Sequence, residues 1–137
     1  MIINLNEPSM LPIYERIVHQ TKDQIARGIL RQGDKIPSVR ELSASLLINP
    51  NTVSKAYQEL ERQGVILTIR GKGTFVAEPA ASPGMERERL ELLRSDLKRI
   101  VVEARHLGMS RARLLEWIGQ EVDQYWGNEH VDSNETE

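Results

Sequence analysis

The residues best suited to chemistry lie in one short run, Asn51-Thr52-Val53-Ser54-Lys55-Ala56-Tyr57-Gln58. The run offers amides, hydroxyls and one ammonium, with no acid and no nucleophile set beside a base, so its chemistry is hydrogen bonding to an anionic partner rather than bond breaking. Small hydrogen-bonding side chains at the start of a helix suit base edges and phosphates in the major groove of a DNA duplex. Further along, Arg70-Gly71-Lys72-Gly73 adds a basic, glycine-rich tip, and Arg40 adds a cation upstream.

Both ends of the helix that must position this run are written into it. Asn49 is a favoured N-cap, Pro50 fits the first helical position, where a missing N–H costs nothing, and Gly64 supplies the left-handed residue that stops a helix. Val53, Ala56, Tyr57 and Leu60 follow the i, i+3, i+4, i+7 spacing of a buried face, which turns Asn51, Thr52, Ser54, Lys55 and Gln58 outward. Glu59 and Glu61 come only in the last turns, away from the polar N-terminal half.

Upstream, an extended opening leads to Pro12, where a long amphipathic helix is predicted with Ile13, Ile17, Val18 and Ile25 on its apolar face and Gly28 closing it. Gly33-Asp34-Lys35 reads as a turn. Ser38 with Glu41 forms a capping box ahead of a shorter helix, roughly 38–47, striped by Val39, Leu42 and Leu46. Two short helices separated by so few residues, the second with a polar N-terminal face, make a helix-turn-helix. Val65 to Ile69 and Thr74-Phe75-Val76 then read as paired strands, with Arg70 to Gly73 as the tip of a wing. That tip is not a phosphate-binding P-loop, because Ile66 occupies the place of the first glycine and no strand-loop-helix surrounds it.

Residues 78–84, rich in Pro, Ala, Ser and Gly, read as a linker. Beyond it, Leu90, Leu93, Leu97, Ile100, Ala104 and Leu107 repeat at alternating steps of three and four, a seam along one long helix. Gly108-Met109 breaks it, and Ser110 caps a second helix striped by Leu114, Ile118, Val122 and Tyr125 or Trp126. Two antiparallel helices with a seam each cannot cover both stripes, so residues 85–126 read as a dimerisation module that a second copy of the chain completes. The acidic stretch 127–137 reads as a disordered tail.

Composition bounds the function classes. The net charge of -2 conceals an asymmetry: residues 1–77 carry 10 Lys+Arg against 7 Asp+Glu, and residues 78–137 carry 8 against 13. The basic half is the one that holds the polar helix. With no cysteine there is no disulfide or thiolate chemistry to propose. The opening residues lack a basic, apolar leader and no apolar run is long enough to span a bilayer, so the expected setting is the cytoplasm with no membrane partner. His19, His106 and His130 fall in separate segments without ligand spacing, so no metal, cofactor or catalytic set is expected.

The stretch 33–76 resembles the winged helix-turn-helix domain of the GntR family of bacterial transcription regulators. The likeness rests on Pro37-Ser38-x-Arg40-Glu41-Leu42, Asn51-Thr52-Val53-x-x-Ala56-Tyr57-x-x-Leu60 and Gly71-x-Gly73-Thr74-Phe75-Val76, standing in that order. The helix beginning at Pro12 also fits that family, and the short C-terminal part is similar to its YtrA-type subfamily, whose members often accompany transporter operons. The resemblance implies a mainly α fold with a small β-hairpin: a winged helix-turn-helix DNA-binding domain at 1–77 followed by a two-helix antiparallel dimerisation module. It implies DNA contacts from Arg40, from Asn49, Asn51, Thr52, Ser54 and Lys55 of the turn and recognition helix, and from Arg70, Lys72 and Gly73 of the wing. Pro50 stands where some relatives carry a guanine-reading arginine, which moves base selection onto Asn51, Thr52, Ser54 or Arg40. The implied function is that of a dimeric repressor on a near-palindromic operator. The competing reading is an effector-responsive sensor, whose C-terminal helices bind a small molecule or metal and reorient the DNA-binding heads. Larger C-terminal domains found elsewhere in the family do not fit the length of this chain.

Overall fold

The computed structural model describes residues 1–78 and 83–127, with the backbone alone for 83–85. They form two compact units, divided after Ala80. In the first, α1 (Ile13–Ala26), β1 (Lys35–Ile36), α2 (Val39–Leu46), α3 (Pro50–Arg62), β2 (Ile66–Ile69) and β3 (Gly73–Val76) follow in chain order. In the second are α4 (Pro83–His106) and α5 (Arg111–Trp126). No helix among the described residues is long and apolar enough to cross a membrane.

Apolar periodicity builds the first unit. Val53, Ala56, Tyr57 and Leu60 are all buried and share one core with Ile17, Leu30, Ile36, Leu42, Ile66 and Val76. Both α1 and α2 pack against α3, which makes α3 the central element. Ile17, Val18 and Ile25 of the expected α1 face meet the core, and Ile13 does not. Ile17, Thr21 and Gln24 are buried while Ile13 is exposed, because the helix turns a 17, 21, 24 stripe inward and its polar members find hydrogen bonds there. Thr21 Oγ1 donates to the Ile17 carbonyl at 2.8 Å. The amides of Gln20 and Gln24 hold the extended opening: Asn4 N–H donates to Gln20 Oε1 at 2.7 Å and Ile2 N–H to Gln24 Oε1 at 3.0 Å, and each amide nitrogen donates back to the carbonyl of the same residue. Alternate residues of an extended chain thus meet successive turns of a helix.

The sheet has three strands in the order β1-β3-β2, both pairs antiparallel. The β2–β3 hairpin is the expected wing, with Ile66 opposite Val76 and Ile69 opposite Gly73. β1 occupies what reads in sequence as a turn. Lys35 pairs with Phe75 and Ile36 with Thr74, and two residues are too short to show a period of their own.

The corner between α2 and α3 carries the one left-handed residue among the described non-glycines, Leu47, at φ 56 and ψ 44. Ile48 N–H closes the end of α2 by donating to the Ser43 carbonyl at 3.1 Å. A Cβ in this region meets its own backbone, which disfavours it by about 1–2 kcal/mol for residues other than Gly and Asn.

In the second unit the expected two helices are present, and α4 starts at Pro83, inside the stretch read as linker; residues 79–82 and the predicted tail from 128 lie outside the described residues. Gly108, at φ 80, turns the chain, and Met109 N–H donates to the Ala104 carbonyl at 3.0 Å. Ala104 is buried and Leu114 and Ile118 are partly buried, but Leu90, Leu93, Leu97, Ile100, Leu107 and Val122 remain exposed. Length is one reason: α4 has 24 residues and α5 has 16. At about 1.5 Å per residue, roughly 12 Å of α4 has no counterpart in α5.

Leu47 is 90% exposed, so replacing it removes strain and almost no packing. Leu47→Gly is expected to raise the unfolding free energy by about 0.5–1 kcal/mol in urea titrations, the left-handed penalty less the extra chain entropy of glycine. A loss of stability would mean that the leucine makes contacts that offset its backbone.

Candidate nucleic-acid interface

The N-terminus of α3 is fixed by its cap. Asn49 Oδ1 accepts from Asn51 N–H at 2.8 Å with Pro50 at the first helical position, which commits the Asn49 oxygen and leaves its NH2 to offer. Asn51, Lys55 and Gln58 are exposed, and Thr52 and Ser54 are half-buried. Gln58 Nε2 donates to Ser54 Oγ at 3.4 Å, a weak bond along the outer face that leaves the serine hydroxyl hydrogen available. Lys55 does not project freely. Its ammonium lies 4.0 Å from the centroid of the Tyr14 ring at the start of α1.

Tyr57 belongs to the core, as its place beside Val53 and Leu60 predicts, and its hydroxyl has a task there. It donates to the Pro37 carbonyl at 2.6 Å, joining the middle of α3 to the residue just before the α2 cap. Burial pushes this phenol well above its usual range, so it acts only as a neutral donor. The capping box is complete: Glu41 N–H donates to Ser38 Oγ at 3.1 Å and Ser38 N–H to Glu41 Oε1 at 3.2 Å. The Ser38 backbone N–H, aided by the Ser38 hydroxyl, holds the Glu41 carboxyl below its ordinary value. Arg40, exposed in the first turn of α2, is therefore carried on a rigid, capped end.

In the wing, Arg70 and Lys72 are exposed, and Lys72 N–H donates to the Ile69 carbonyl at 2.9 Å to close the turn. Gly73 has φ 126, and a Cβ there would lie 2.8 Å from Lys35 Cε. The Lys35 side chain thus crosses the base of the wing, a third cation that sequence reasoning left in a turn. Only the β1–β3 pairing reveals it, so no local signal exists. Tyr14 was missed for a similar reason, since its position in α1 says nothing of which α3 residue lies over it.

The acids of α3 are engaged elsewhere. Glu61 Oε1 accepts from Thr68 Oγ1 at 2.9 Å, tying the last turn of α3 to β2. Glu59 accepts from Arg62 at 2.5 Å and from Gln63 at 2.9 Å, and Lys22 Nζ reaches Gln63 Oε1 at 2.8 Å. The outer surface of the N-terminal half of α3 thus presents donors and one ammonium, with Glu59 ion-paired to Arg62 and Glu61 bonded to Thr68 at the far end. Such a surface suits phosphate oxygens and base acceptors.

This arrangement has relatives. Residues 13–76 match the bacterial regulatory proteins of the gntR family. Over 117 residues the chain is 44% identical to the HTH-type transcriptional repressor YtrA of Bacillus subtilis (strain 168), covering 85% of this chain and 89% of that protein. The chain belongs to the GntR family of bacterial regulatory proteins. As a family member it is a DNA-binding transcription regulator and not an enzyme. The likeness extends past the DNA-binding unit. A crystal structure described as a transcriptional antiterminator from Listeria monocytogenes EGD-e matches at TM-score 0.81 and 40% identity, over 93% of this chain and 95% of that one. YtrA from Sulfolobus acidocaldarius, a GntR-family transcription factor, matches at TM-score 0.59 and 33% identity, over 74% of this chain and 99% of that one.

Hydrogen bonds from Arg62 and Gln63 lower the Glu59 carboxyl from 4.5 to about 2. A carboxylate depressed in the folded state stabilises the fold above its unfolded value and loses that contribution as pH falls through the folded one. Glu59→Gln is expected to lower stability at neutral pH by under about 1 kcal/mol, since the pair is largely solvated. In urea unfolding at a series of pH values, the gap to the parent protein should close between 4.5 and about 2. A gap that stays constant with pH would deny the Glu59 charge any role.

Proposed function

We infer that this regulator is a dimeric repressor acting in the cytoplasm on a near-palindromic operator, of its own operon or of a neighbouring transporter operon. The observation that carries the reading is the outer face of α3. It is acid-free in its first turns, capped at Asn49 and held by a fully buried opposite face, in a chain similar along most of its length to a protein named as a repressor. In this reading Asn51, Thr52 and Ser54 meet base edges in the major groove. Lys55 meets a phosphate, Arg40 meets a base edge or a phosphate, Asn49 offers its amide NH2 beside them, and Arg70, Lys72 and Gly73 bring the wing to the minor groove or its phosphates.

Dimerisation is supported by the second unit. Leu93 is 64% and Leu107 72% exposed on an otherwise regular seam, and apolar surface of this extent on a two-helix unit calls for a partner. A second copy that covered Leu90, Leu93, Leu97, Ile100 and Leu107 with its own seam and with Leu114, Ile118 and Val122 would set two recognition helices about one turn of duplex apart.

A second reading, an effector sensor, is favoured by one feature, an apolar groove of about 490 Å3 lined by Ile100, Leu114, Trp117, Ile118 and Val122. That volume is within the range of small-molecule sites. Tryptophan emission titrated with candidate effectors discriminates the two: a saturable change accompanied by altered operator affinity supports sensing, and a silent signal with unchanged affinity counts against it.

Lys72→Ala is expected to weaken binding to every duplex and to reduce the slope of log affinity against log salt by about one, whereas Asn51→Ala or Thr52→Ala should cost about 1–3 kcal/mol at particular base pairs only. Anisotropy titrations across a salt series separate these effects, and an unchanged slope for Lys72→Ala would remove the wing from the interface. Leu97→Glu should yield monomers in sedimentation velocity and weaker operator binding, because two half-sites then act singly. A variant that stays fully dimeric would reject the seam.

A further inference from the structure

Lys55 has an unusual setting for a recognition-helix cation. A lysine on an open helix face samples many rotamers and loses that freedom when it grips a phosphate. Here the ammonium rests on an aromatic face, 4.0 Å from the ring centroid of Tyr14. The natural competitor for it is Glu59, one helical turn on, and the Glu59 oxygens are occupied, Oε2 by Arg62 and Oε1 by Arg62 and Gln63. The platform is itself restrained. Tyr14 is half-buried against the core, and its hydroxyl donates to Glu15 Oε1 at 3.0 Å. An ammonium has three donors and a π face uses one side of it, so the contact leaves N–H groups directed at solvent and at any oxyanion placed there.

We propose that Tyr14 is a positioning residue for DNA binding: its ring holds Lys55 in place before the duplex arrives, so that a phosphate contact from Lys55 forms with little further ordering. The inference rests on the reading of Lys55 as a phosphate contact. Tyr14 acts through Lys55, and what it adds is preorganisation rather than a further charge. It therefore contributes to affinity on any sequence and leaves the number of neutralised phosphates unchanged.

Because phosphate contacts are independent of sequence, a labelled mixed-sequence duplex at low salt serves as the probe, with the full chain as parent, Tyr14→Leu, Tyr14→Phe, Lys55→Ala and the Tyr14→Leu/Lys55→Ala double variant. Tyr14→Leu is expected to weaken binding about two- to fivefold, the span of an exposed cation–π contact, with the salt slope unchanged. Tyr14→Phe should bind like the parent. Lys55→Ala should lower the slope by about one, and in its background Tyr14→Leu should have no further effect. A Tyr14→Leu loss of the same size with and without Lys55 would overturn the positioning role while leaving the Lys55 contact standing. An unchanged slope for Lys55→Ala would overturn both. A readout that needs no variant to fold is the proton spectrum of the parent protein, where the Lys55 ε-methylene should be shifted upfield by the ring current of Tyr14. An unshifted resonance would also overturn the proposal.

Discussion

Burial of one face of α3 is the constraint on which the rest of the structure depends. Val53, Ala56, Tyr57 and Leu60 are all but inaccessible, and removing the larger of these side chains from water contributes about 1.5–3 kcal/mol each as an upper bound. With that face fixed, helical geometry leaves no choice about which residues point outward. α1 and α2 pack on α3, and Tyr57 extends the constraint through its hydroxyl to Pro37, so the capped start of α2 is located relative to α3 by a bond as well as by packing. The polar face is thus a by-product of the core, rigid because the core is.

Electrostatics then decides what that face can bind. The first turns of α3 carry no acid, and Glu59 and Glu61 are each held by partners at the helix end. Further exposed cations come from elements far apart in sequence: Arg40 on α2, Lys35 crossing the base of the wing and Lys72 at its tip. The net charge of -2 says nothing of this, because the acids that outweigh these cations lie largely in residues 78–137.

Much of the DNA-binding unit is legible in the sequence because its signals are local. The Asn49-Pro50 start, the Ser38–Glu41 box and the glycines of the wing each act within a few residues, and each appears in the structure as its chemistry predicts. What escapes is tertiary. β1 exists only because β3 is beside it, and Tyr14 matters only because Lys55 lies over it. Ile13 has the right type for the α1 stripe but sits outside the packed face, while Thr21 and Gln24 go inside because each finds a hydrogen bond there. In the second unit, the seam of α4 and the cap at Ser110 can be read, but apolar periodicity names a buried face without naming what buries it. Most apolar residues of α4 and α5 stand uncovered, as two seams that cannot cover one another require.

The central claim is that this face of α3 reads a particular DNA sequence. Its most direct test is an anisotropy titration of the full chain with the duplex upstream of its own gene and with a shuffled duplex of the same composition, at low and near-physiological salt. The account predicts tight binding to the native duplex that survives the higher salt, while the shuffled duplex is released. Equal, salt-labile binding to both duplexes, or none to either, would contradict it.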